Sequence, residues 1–182
     1  FAMHSRGLEP PMHHPKASRG ASAMGYATNI RGACHCQGSA TPLPGTNDPE
    51  AGLVYSQNRA GAVGSAILCN YVSSYVPPDS FASLITAATG EDWSVQDLWA
   101  AGERGWYVKH IYNLLCGETP EENRLPRRIM EAIDGYDFDT SLQRFRQLRA
   151  IGPDGRPSKE RLLSLGLSDV AGMALNMDSG KE

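Results

Sequence analysis

Residues 94–117 read SVQDLWAAGERGWYVKHIYNLLCG. Ser94 is a good helix N-cap, and Gly117 is a good terminator. Between them Val95, Leu98, Gly102, Gly105, Val108, Tyr112 and Leu115 recur at helical spacing. The spacing predicts one long helix that runs up to Gly117. Its length sets the fold class: a mainly α, multi-helical, bundle-like domain with a short β segment at its N-terminus.

The flanking sequence extends this pattern in both directions. NRAGAVGSAILCNYV (58–72) reads as a small-residue helix buried on most sides, with Cys69 near its end. Asp79 or Ser80 can cap SFASLITAATG, which Gly90 ends. RRIMEAI is a short helix, and SLQRFRQLRAI is an amphipathic one with Leu142, Phe145, Leu148 and Ile151 inward. PSKERLLSLG is a helix capped by Ser158 and closed by Gly166. GASAMGYATNI (20–30) is helix-compatible, with Ala21, Met24 and Thr28 on one face. GSATPLPGTNDPEAG (38–52) reads as a long loop, a length that points to a functional or covering role.

FAMHSRGLE alternates apolar and polar from its first residue and is expected to be a strand, ended by Pro10 and Pro11. The expected organisation is therefore a strand and linker over 1–19 and a helical domain over 20–182. Because the alternation is under way at Phe1, the chain is expected to be a piece of a longer protein.

Of the 182 residues 41% are hydrophobic and 20% charged, and the formal net charge is −3. No basic field gathers nucleic acid, and no apolar run nears the roughly 18 residues that span a bilayer. Neither partner is expected. Four cysteines without a secretory leader are expected to be reduced thiols in the cytoplasm.

RGACHC (31–36) concentrates the chemistry-bearing residues. A C-x-C pair around a histidine can offer thiolates and an imidazole, but tetrahedral zinc needs a second pair at suitable spacing. Cys34 or Cys36 as nucleophile would need a base supplied by the fold. Otherwise the segment is a buried loop whose cysteines pack as small hydrophobes and whose Arg31 is a surface charge. Cys69 is either a core thiol or a ligand whose partners lie elsewhere. His13 and His14 read as solvated, His110 as an aromatic-packed surface residue, and Trp93, Trp99 and Trp106 as core or interface.

Several segments, in order, carry a resemblance: GLEPPMHHPKASRG, MGYATNIRGACH, LCNYV, residues 81–117, LPRR and GPDGRPSKERLLSLGL. Together they resemble the C-terminal helical portion of the tungsten-containing aldehyde:ferredoxin oxidoreductase family. The resemblance implies an N-terminal β domain elsewhere, a tungsten (or molybdenum) bis-pyranopterin and a [4Fe-4S] cluster. It implies that His35 of RGACH lies at the metal near the substrate carbonyl, and that Arg31 and Leu68 border the cofactor. The family's fourth cluster cysteine ends a D-x-x-G-L-C motif, which falls here on Gly64 to Cys69. Leu68 and Cys69 match it; Gly64 replaces the Asp and Ile67 the Gly.

The implied reaction converts a small aldehyde and water to a carboxylic acid, with two electrons passed through the cluster to ferredoxin or another redox subunit. In that picture residues 38–57 help shape the substrate channel, and the fragment alone is inactive. A homo-oligomer is compatible with the sequence. The tungsten subunit of a class II benzoyl-CoA reductase and a cofactor-less helical interaction module are the alternative readings.

Overall fold

The computed structural model describes residues 2–11, 21–38, 43, 45–133 and 135–175. Their helices are α1 (Ala21–Thr28), α2 (Pro49–Ser65), α3 (Asn70–Ser73), α4 (Pro78–Thr89), α5 (Val95–Leu115), α6 (Arg127–Ala132), α7 (Phe138–Leu148), α8 (Lys159–Ser164) and α9 (Ser168–Leu175). Short 3₁₀ turns form at His35–Gln37 and Pro120–Glu122. None of these helices is long and apolar enough to cross a membrane. His13, His14 and most of the linker expected over 1–19 lie outside the described residues.

Local chemistry accounts for the boundaries. Asp48 accepts from the Ala51 amide at 3.0 Å, and Pro49 starts α2, where its missing N–H costs nothing. The loop expected over 38–52 is therefore shorter, and its last four residues are the first turn of a helix. Ser94 and Asp97 form a reciprocal capping box on α5. Asp137 caps α7 and Ser158 caps α8. α4 begins at Pro78, before both expected caps.

α5 is the central element, and its most extensive partner is α2. The main core gathers Met24 and Ala27 of α1, Leu53 of α2, Trp106, Tyr107 and Ile111 of α5, Phe145 of α7 and Leu162 of α8. A second cluster joins Ala62 and Val63 of α2 to Phe81, Ala82 and Leu98. Trp106 sits in the main core, while Trp93 and Trp99 pack against the second cluster.

Two expectations are corrected here. The N-terminal strand is absent: among the described residues Ser5 and Leu8 make only an isolated bridge. Arg6 and Gly7 both take positive φ, 48° and 77°, and fold the chain back on itself. Ser5 is buried and donates to the Arg124 carbonyl at 3.2 Å, and Arg6 pairs with Glu118 at 2.5 Å. The alternation belonged to a turn tethered by polar contacts.

His110, expected at the surface of α5, is also in the core. Val108, Tyr112 and Leu115 are 44%, 65% and 53% exposed, whereas Glu103 and His110 are buried. The polar residues can enter because each finds a partner. Glu103 pairs with Arg161 at 2.6 Å, and His110 Nε2 donates to the Gly155 carbonyl at 2.8 Å while its ring stacks on Trp106. Burial pushes His110 down to about 4, so it is a neutral core residue rather than a surface one.

Candidate functional site

α1 delivers the chain into Asn29, Ile30 and then RGACHC. Gly32 donates to the Asn29 carbonyl at 2.9 Å and the Cys34 amide to the Gly32 carbonyl at 2.6 Å, so the segment turns sharply. The His35–Gln37 turn follows, and it divides its residues cleanly. Cys34 is buried, whereas His35 and Cys36 are exposed. All four cysteines of the chain are free. His35 Nε2 and Cys36 Sγ lie 3.6 Å apart, and partial burial with the neighbouring Cys34 raises the Cys36 thiol, while Arg31 opposes the shift. Cys36 is therefore not set up as a thiolate nucleophile at neutral pH.

A buried polar chain lies beneath this turn. Asn29 Nδ2 donates to the carbonyls of Cys34 and Gly38, at 2.5 Å and 3.0 Å. Gln57 Nε2 donates to Asn29 Oδ1 at 2.8 Å, and Arg149 Nη2 donates to Gln57 Oε1 at 2.8 Å. Gly38 seals the arrangement. Its φ is 114°, and a Cβ there would lie 2.8 Å from the Gln57 backbone nitrogen, so only glycine lets the turn rest on α2. Sequence reasoning missed Asn29, Gln57 and Arg149; nothing marks a buried polar residue in a string whose contacts are unknown.

Arg31 is exposed and lines a cleft of about 350 Å³ with Arg6, Ile30, Asn113 and Glu118. Asn113 Nδ2 holds one wall by donating to the Ile30 carbonyl at 2.8 Å.

Cys69 is neither at the end of a long helix nor in the core. α2 stops at Ser65 and leaves through a Schellman turn: Ile67 donates to the Gly64 carbonyl at 3.2 Å and Leu68 to the Val63 carbonyl at 3.1 Å. Cys69 stands exposed at the N-cap position, just before α3, and the amides of Val72 and Tyr71 lower its thiol. Ile67, Leu68, Tyr71, Val72 and Tyr75 are exposed around it. Among the described residues no cluster of three or more His, Cys, Asp or Glu is placed to hold a metal ion. A lone exposed, thiolate-favouring cysteine fits a single ligand of a centre completed from elsewhere, not a complete site. His35 and Cys69 are not brought together: the turn rests on Gln57, and Cys69 follows the end of α2, eight residues or ~12 Å further along the helix axis.

Ile67 is strained. It occupies the left-handed position of the Schellman turn with φ 57°, where glycines stand in the equivalent turns of α5 and α8. A β-branched residue there costs about 1–2 kcal/mol, and at 92% exposure its side chain contributes little burial in return. Glycine's larger unfolded-state entropy offsets part of the gain, roughly 0.4–1 kcal/mol. Ile67→Gly is expected to stabilise the protein by about 0.5–1 kcal/mol, read as a higher urea midpoint at unchanged slope.

A family model for aldehyde ferredoxin oxidoreductase, domains 2 and 3, matches residues 1–167. The tungsten-containing aldehyde ferredoxin oxidoreductase of Pyrococcus furiosus is 29% identical over 93% of this chain, and that of Pyrococcus abyssi is 30% identical over the same share. The Thermococcus kodakarensis enzyme is 28% identical, again over 93% of this chain. The chain spans 31% of the length of each of these relatives. This chain belongs to the aldehyde ferredoxin oxidoreductase family.

Proposed function

We propose that the chain is the C-terminal helical portion of a cytoplasmic aldehyde oxidoreductase that uses tungsten or molybdenum and passes electrons to ferredoxin or another redox subunit. The carrying observation is the family match, over residues 1–167, together with the surface position of His35 on a turn held from below. A catalytic imidazole must reach solvent and substrate yet keep its orientation, and this turn offers both.

The overall change is aldehyde plus water to carboxylic acid, two protons and two electrons. The metal bound by its pterin dithiolenes supplies the two-electron acceptor. His35 hydrogen-bonds the substrate carbonyl oxygen through one ring nitrogen and takes up a proton at the other as water adds to the carbonyl carbon, because an imidazole carries a donor and an acceptor on one ring. Arg31, at the edge of its cleft, offers a fixed positive charge and paired donors to an anionic part of the cofactor. Leu68 supplies an apolar neighbour. Cys69 contributes one thiolate to a [4Fe-4S] cluster, an assignment supported by its exposure and by the two amides that favour the ionised form.

The test uses the whole protein that carries this sequence. Metal analysis is expected to find tungsten or molybdenum, and low-temperature EPR an iron–sulfur signal that Cys69→Ala alters. His35→Asn is expected to lower aldehyde turnover by about a hundredfold, the scale of general acid–base catalysis, at unchanged metal content. Turnover near wild type would remove His35 from the mechanism. Absence of both metals and of the cluster would favour a cofactor-less helical interaction module.

A further inference from the structure

The buried chain beneath the His35 turn has a direction. Arg149 can only donate, so Gln57 must present Oε1 to it and turn Nε2 away. Nε2 then needs an acceptor, which fixes Asn29 with Oδ1 toward Gln57 and Nδ2 toward the loop. That amide group in turn spans the two carbonyls, Cys34 and Gly38, that bracket His35–Gln37. One arginine in the core thus sets the rotamer of two amides and the spacing of the two ends of a surface turn. Arg149, Gln57 and Asn29 are all essentially fully buried, so water does not compete for these bonds.

We propose that Asn29 is the positioning residue for His35, with Gln57 and Arg149 as the relay that orients it. This rests on the reading of His35 as the group at the substrate carbonyl. The relay acts on the backbone of the turn, whose two ends it ties above α2, and through that backbone on the imidazole it carries. Loss of one donor leaves the fold standing but lets the turn widen.

Gln57→Glu is the decisive variant. Its carboxylate still accepts from Arg149, as an ion pair, but cannot donate to Asn29 Oδ1. Asn29 must then lose that bond or flip and set Oδ1 against the two carbonyls. Asn29→Asp makes the complementary change, keeping the shape and removing both donors to the turn.

In the whole protein that carries this sequence, amide hydrogen exchange at Cys36, Gln37 and Gly38 is expected to rise about tenfold in both variants, with α5 amides unchanged. The NMR order parameter of the His35 ring is expected to fall. In the metal-loaded whole protein, Gln57→Glu is expected to lower kcat about tenfold at unchanged KM and metal content. If Asn29→Asp fails to fold, Gln57→Glu still decides the matter, because its ion pair supports the core. Exchange and ring order within twofold of wild type would overturn the positioning role. A loosened ring with unchanged kcat would instead sink the assignment of His35 to the chemistry and leave the mechanical link intact.

Discussion

Gly102→Ala is expected to destabilise the protein by about 3 kcal/mol or more, enough to remove a large part of the stability of an ordinary domain. At the crossing of α2 and α5 a Cβ on Gly102 would lie 1.8 Å from the Asn58 carbonyl oxygen and 2.8 Å from the Ala62 nitrogen. Both are backbone atoms, so no side-chain rotamer relieves the clash and the helices must separate. Separation loosens Leu53, Trp106 and Tyr107, which share the core at that junction. Alanine's higher helix propensity returns only about 1 kcal/mol. Gly105→Ala, three residues along the same helix, is the control. Nothing lies within 4 Å of its Cβ, and the propensity gain should appear there undiminished. Equal urea midpoints for the two variants would show that the crossing is not as close as described.

Arg149→Met is expected to cost about 3 kcal/mol. The guanidinium is fully buried, 4.1 Å from the centroid of Trp106, and among the described residues it forms no salt bridge with a carboxylate. Neutral acceptors serve instead: Nη1 donates to Asn58 Oδ1 at 2.7 Å, and Nη2 to Gln57 Oε1 at 2.8 Å and the Val54 carbonyl at 3.4 Å. Burial lowers the group to about 10, which leaves it charged at neutral pH. Methionine spares the desolvation of an ion but strands those acceptors, each worth roughly 1–3 kcal/mol when unsatisfied. The stranded acceptors outweigh the relief. Arg149→Lys is expected to do no better, because an ammonium keeps the desolvation cost without the planar fork that reaches two amides at once. A midpoint for Arg149→Lys close to wild type would show that charge alone, not geometry, holds this centre.

The same two regions show how far a sequence can be read. SLQRFRQLRAI was legible as an amphipathic helix with Phe145 inward. Its three arginines are chemically identical in the string, yet Arg144 pairs with Asp48 at the surface, Arg146 donates to the Pro120 carbonyl, and Arg149 anchors the core. Gly102 and Gly105 likewise stood together as small positions on one helix face, and only one of them touches another backbone. In the candidate site, RGACHC announced itself through its residue types. The division into a buried Cys34 and an exposed His35, and the amides that hold them, did not.

By itself the sequence determined the helical class, the ends of α5 and α8, the caps at Ser94 and Ser158, and the family. These depend on preferences within a turn or two of chain, or on ordered motifs that survive as text. Only the tertiary structure decided which face of α5 is inward, that residues 2–11 make a turn instead of a strand, and that Cys69 stands exposed. It also decided that Arg149 reaches Gln57 across 92 positions and, through Asn29, fixes the loop that carries His35. Such outcomes rest on contacts between residues far apart in sequence, where burial of a polar group is favourable only if a partner arrives from elsewhere in the chain.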